Sequence, residues 1–170
     1  MLFVMNTLSI FYGYFIVSTF KTFGRQHIKS DEFLTATGAF ASVMGGMRWI
    51  WSYFYDRYSY KLTYGVLLIM QIILSGVISF TNTSKAAYFI CVSLSLFCEG
   101  GHFTLSPAVT KVIFGRRGSD VYGIMLIYPG LANIISSVLV SQLLKTYGYP
   151  FFYYLGCGFT VLAFLLLLCF

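Results

Sequence analysis

The sequence predicts an all-α membrane protein: one bundle of six transmembrane helices, 1–170, arranged as an inverted repeat of three and three. Three observations predict it. Six stretches of about twenty apolar residues fill the chain, and about 20 helical residues are needed to cross a hydrocarbon core of about 30 Å. Hydrophobic residues make up 58 % of the chain and charged residues only 9 %, with a mean hydropathy of +0.80. A water-facing surface needs about a quarter charged residues, so the main contact surface here is lipid or other helices. Short peptide echoes then recur at one spacing, which divides the six spans into two triplets.

The candidate spans, in order, are 2–20, 33–54, 62–80, 86–107, 121–144 and 151–170. The first lacks a basic leader and a small-residue cleavage site, so it reads as a retained span rather than a signal sequence. Chain order then supplies the repeat. Phe23-Gly24-Arg25 follows the first span and Phe114-Gly115-Arg116 the fourth, 91 residues apart (23 to 114). Tyr58-Ser59-Tyr60 follows the second and Tyr147-Gly148-Tyr149 the fifth, 89 apart (58 to 147). An odd number of spans per unit makes the second unit enter from the opposite face, the plan of many secondary transporters. Within the fifth span, Pro129-Gly130 predicts a kink. Small residues at Gly38, Ala41, Ser42, Gly45 and Gly46 predict close helix packing in the second.

The net charge of +6 sits in connectors and span ends, which is the flanking pattern of membrane helices and not a nucleic-acid footprint. Five basic residues fall on each side, so the charges leave the orientation open. Cys91, Cys98, Cys157 and Cys169 lie inside spans with no CxxC pair, which reads as unreactive thiols and no metal site. Asn82-Thr83-Ser84 fits a glycosylation acceptor but hugs the membrane in a short connector. No GxxxxGK[ST], HExxH or GxSxG is present, so no enzyme is indicated, no catalytic residue is assigned and no cofactor is implied.

Ionisable groups inside spans cost at least about 2.5–3.5 kcal/mol each and face cavities or partners. Arg48 lies in the second span, with Glu99 near the middle of the fourth and His102 one helical turn beyond it. Arg48 has two readings: a fixed cation for a carboxylate substrate, or a structural partner that snorkels to the interface. Glu99 is either a proton-coupling acid or a carboxyl kept neutral or paired with Arg48, and His102 either a proton relay or a packing histidine. Gln71 and Asn133, mid-span polar residues, line a substrate pathway or join helices.

The run Ser52-Tyr53-Phe54-Tyr55-Asp56-Arg57-Tyr58-Ser59-Tyr60-Lys61 resembles the signature loop of the major facilitator superfamily, with Asp56, Arg57 and Lys61 matching its acid–base pattern. Ser52 and Ser59 stand where that family has glycine. Gly100-Gly101-His102-Phe103, Pro107, Phe114-Gly115, Tyr122-Gly123 and Arg48 resemble its monocarboxylate and oxalate–formate antiporter-like branch. The resemblance covers the chain as the C-terminal six of twelve spans. It implies cytosolic termini, a multi-pass membrane location, and alternating-access transport of small solutes such as monocarboxylate-like anions. Asp56, Arg57 and Lys61 would then form a cytosolic latch. The fifth span lacks the lysine associated with dicarboxylates, which argues against those substrates. A bundle of this size is half a pathway, so the expected partners, besides the lipid bilayer and the solute, are a missing N-terminal six-span half or a second copy of the chain. The start at Met1 directly before the first span favours a fragment of a longer protein. A membrane scaffold subunit, or a channel, is the alternative function.

Overall fold

Helices account for nearly the whole chain, and no strand occurs among the described residues. The computed structural model describes residues 1–170 except for the side chains of Asn82 and Thr83. The acceptor Asn82-Thr83-Ser84 therefore falls outside the described residues. In order come α1 (Leu2–His27), α2 (Asp31–Gly46), α3 (Arg48–Arg57), α4 (Tyr60–Val77), α5 (Lys85–Phe114), α6 (Gly118–Met125) and α7 (Ile127–Leu168). Short 3-10 turns at Ile78–Thr83 and Gly115–Arg117 bracket α5. An apolar surround offers no water to backbone groups, so helices that close their own hydrogen bonds are the natural solution. Helix starts are marked by serine: Ser30, Ser59 and Ser84 accept from the amides of Phe33, Leu62 and Ala87.

Among the described residues, three stretches are long and apolar enough to cross a membrane, Leu2–His27, Tyr60–Thr81 and the run Lys85–Leu168. The last is too long for one crossing and is interrupted within. Gly115 (φ +54°) ends α5, and Gly148 (φ +73°, ψ 174°) breaks the helical path of α7 into 127–147 and 149–168. Side chains with a Cβ rarely adopt that backbone geometry.

Two predicted spans are not single helices. The stretch 33–54 divides into α2 and α3 where Met47 leaves the helical region (φ −74°, ψ 42°), after the weak helix formers Gly45-Gly46. The stretch 121–144 divides at Leu126, which puts Pro129 in the first turn of α7, where its missing N–H loses no helical bond. The fourth span also runs on past Pro107 to Phe114. Proline removes one backbone bond, and the helix bends around that loss without stopping.

α5 sits centrally, in contact with α1, α2, α3, α4 and α6, while α1 and α4 pack against α7. Aromatic residues fill the α1–α7 seam: Phe15 stacks on Phe152 at 5.2 Å, and Tyr153 meets the edges of Phe15 and Phe23 at 4.9 and 5.1 Å. Polarity is distributed opposite to that of a water-soluble bundle. Asn6, Ser9, Gln71, His102 and Thr160 are buried, whereas Trp49 and Phe80 are each 70 % exposed. Exposed apolar side chains around buried polar ones match a hydrocarbon solvent.

Candidate functional site

The break after α2 determines where Arg48 can reach. Gly45 and Gly100 bring α2 and α5 together so closely that a Cβ on Gly100 would overlap the Gly45 carbonyl oxygen. Arg48, the first residue of α3, emerges from that crossing. The side chain is exposed, and its Cζ sits 5.3 Å from the centroid of the Phe103 ring, a cation–π contact.

Glu99 projects from α5 one turn before Phe103. Its carboxyl lies directly against the bare backbone of Gly13 on α1, where a Cβ would collide with Oε2. Oε2 is shielded from solvent and has no hydrogen-bond partner among the described residues. Arg48 is within electrostatic reach of both Glu99 and Tyr122, and Tyr14 is within reach of Glu99. Arg48 and Glu99 nevertheless form no ion pair among the described residues. A cation and a carboxyl thus share one half-open face, bordered by Tyr14, Phe103 and Tyr122, and neither neutralises the other by contact. That arrangement can hold an anion on the guanidinium and a proton on the carboxyl.

His102 belongs elsewhere. It is fully buried, with Nε2 2.8 Å from Gln71 Oε1 and Nδ1 3.2 Å from Tyr64 Oη. The Gln71 amide donates to the Ser9 carbonyl and to Thr160 Oγ1, which fixes Oε1 as the acceptor and Nε2 of His102 as a donor. Tyr64 donates to Asn6 Oδ1 and meets Ser9 Oγ at 2.8 Å. One network therefore ties α1, α4, α5 and the second half of α7, with Asn6 Nδ2 left without a partner among the described residues. Gln71, which the sequence places either along a substrate pathway or between helices, has its polar atoms occupied inside it. Asn133 is exposed on α7 and makes no hydrogen bond among the described residues.

Among the latch residues, Asp56 and Arg57 are exposed at the end of α3 and form no ion pair with each other or with Lys61 among the described residues. Lys61 instead donates to the Leu168 carbonyl at 2.8 Å, a cation capping the C-terminal turn of α7. Cys91 and Cys98 are buried, Cys157 half-buried and Cys169 exposed, and no disulfide forms among the described residues.

Sequence reasoning gave no site role to Gly13, to Phe103 or to Trp51, whose indole Nε1 donates to the Phe97 carbonyl at 3.0 Å. It also missed Asn6, Ser9 and Thr160 as partners of Gln71 and His102. One signal was available: Asn6 and Ser9, three residues apart in an apolar span, share a helical face. No protein-family model matches the chain, and no curated protein sequence matches it.

Proposed function

We propose that the chain is a six-span half of a secondary transporter of the major facilitator type that moves small anions, of the monocarboxylate class, by alternating access. The observation that carries this reading is the uncompensated pair on the half-open face: Arg48 free of any carboxylate contact, and Glu99 facing Gly13 with an unpartnered oxygen. A guanidinium is suited to a carboxylate solute because its donors match the two oxygens in a fork.

Chain geometry supports the six-span, three-plus-three reading. Helix starts recur at 2 and 85, 31 and 118, and 60 and 149, which are 83, 87 and 89 residues apart. An acid stands in the first turn of the second helix of each triplet, Asp31 and Asp120. In this reading the apolar exterior faces lipid, the protein is multi-pass, and the half-open face meets a second six-span bundle or another copy of the chain. Asp56 and Arg57 would engage that second bundle as a latch.

The test is radiolabelled uptake of pyruvate, lactate, formate and oxalate into vesicles carrying wild type, Arg48→Gln or Arg48→Lys at matched protein levels. Arg48→Gln should abolish saturable uptake, and Arg48→Lys should retain it with weakened affinity, since a point charge replaces the fork. Uptake by Arg48→Gln at the wild-type rate would remove the residue from the site. A membrane scaffold predicts that outcome, together with indifference to Glu99→Gln.

A further inference from the structure

We infer that buried hydroxyls of Tyr60, Tyr128 and Ser106 form a proton path joining Glu99 to the end of the bundle that carries residues 55–61. The inference rests on the reading of Glu99 as a proton carrier and specifies the face from which it is served. On α5, Ser106 lies seven residues beyond Glu99, hence on the same face and about 10 Å along the axis. Tyr128 Oη, from the first turn of α7, meets Ser106 Oγ at 3.3 Å, and both side chains are buried. Tyr128 is within electrostatic reach of Glu99 on one side and of Tyr60 on the other.

Tyr60 opens α4 and stacks in parallel on Tyr64 at 5.2 Å. Its hydroxyl is shielded from solvent and has no partner among the described residues, as is true of Glu99 Oε2 at the other end of the line. Tyr55, half-exposed in the last turns of α3, adjoins Tyr60 with rings 6.4 Å apart and completes the approach from the surface. An unpartnered polar atom at each end, joined by a hydroxyl pair between, is what a line completed by transient waters requires. Lys61 and its bond to Leu168 place this entrance at the end of the bundle holding the α3–α4 junction.

The groups facing Glu99 are Tyr14 of α1, Arg48 of α3, Tyr64 of α4, Tyr128 of α7 and Cys98 of its own helix. Of these only Tyr128 also bonds Ser106; Tyr64 lies against Tyr60 as well, but its hydroxyl is engaged with Asn6, Ser9 and His102.

The experiment is pH-jump infrared difference spectroscopy on the purified chain in phosphatidylcholine vesicles, which needs no substrate. The carboxylic-acid C=O band that Glu99→Gln removes reports protonation of Glu99. Tyr60→Phe and Tyr128→Phe keep the rings and should slow the rise of that band about tenfold, because a water replacing the lost hydroxyl must be immobilised. Tyr154→Phe, exposed on α7 and away from this line, should leave the rate unchanged. Wild-type rates in both Tyr60→Phe and Tyr128→Phe would overturn the path while leaving Glu99 as a proton carrier. No Glu99 band at any pH would overturn that underlying reading and the path with it.

Discussion

Gly100→Ala tests the helix crossing on which the position of Arg48 depends. The added methyl would overlap the Gly45 carbonyl oxygen, lie 3.1 Å from its carbon and sit 3.4 Å from Arg48 Cγ. A backbone carbonyl cannot rotate away as a flexible side chain can, so α2 must retreat from α5 by about 1 Å to restore ordinary contact distances. Overpacking of this kind costs about 1–3 kcal/mol, and alanine returns about 0.5–1 kcal/mol through its better helix propensity. The net loss is therefore about 1–2 kcal/mol, read as a drop of a few degrees in the unfolding midpoint of detergent-solubilised protein. Uptake should fall much further than stability. Arg48 follows α2 by two residues and its Cγ lies against the added methyl, and a misplacement of about 1 Å can lower a rate about a hundredfold. Gly76→Ala, which meets no atom within 4 Å, is the control and should be neutral or slightly stabilising. Wild-type stability and uptake in Gly100→Ala would refute the close crossing and the dependence of Arg48 on it.

Gln71→Leu leaves the Nε2 donor of His102 without its acceptor, so it should destabilise the bundle by about 1–3 kcal/mol, seen as a lower thermal midpoint in detergent. Gly148→Ala places a Cβ at φ +73°, costing about 1–3 kcal/mol by the same measurement, and an unchanged midpoint would contradict the break. At the α1–α2 connector, the Arg25 guanidinium grips both oxygens of Asp31 at 2.7 and 3.0 Å and holds that carboxyl below the usual carboxylate range. Since the folded value is depressed, the contribution of this pair is present above the ordinary aspartate range and is lost as pH falls through the lowered value. Protection factors of the amides in residues 28–33, with the intrinsic base-catalysed rate divided out, should fall on acidification in wild type, and Asp31→Asn should show lower protection that does not change with pH.

The helical, apolar character was legible because each span is nearly free of charge, and that pattern admits little besides helix in lipid. The breaks at Met47 and Leu126 were less so. Gly45-Gly46 signals close packing and interruption equally well, and the structure has both: Gly45 meets Gly100, and the helix breaks just after Gly46. Pro107 read as an end, yet α5 continues to Phe114. Arg48 and Glu99 stood out because charge inside a span is rare. The separation of His102 from Glu99 was hidden: three residues along a helix suggest a shared face, but Tyr64 and Gln71, from another helix, decide which way the imidazole turns. Spans apolar on all sides do not reveal which face is inward, so partners more than thirty residues apart had no signature in the chain.

The network around His102 divides the bundle mechanically. Four helical segments are cross-linked through an imidazole, an amide and a phenol, whereas α2, α3 and α6 lie outside that lattice and border the interruptions at Met47 and Leu126. Stiffness is therefore concentrated on one side of α5 and compliance on the other. A bending load would be absorbed at those two joints, where Arg48 leaves one of them and Tyr122 lies just ahead of the other.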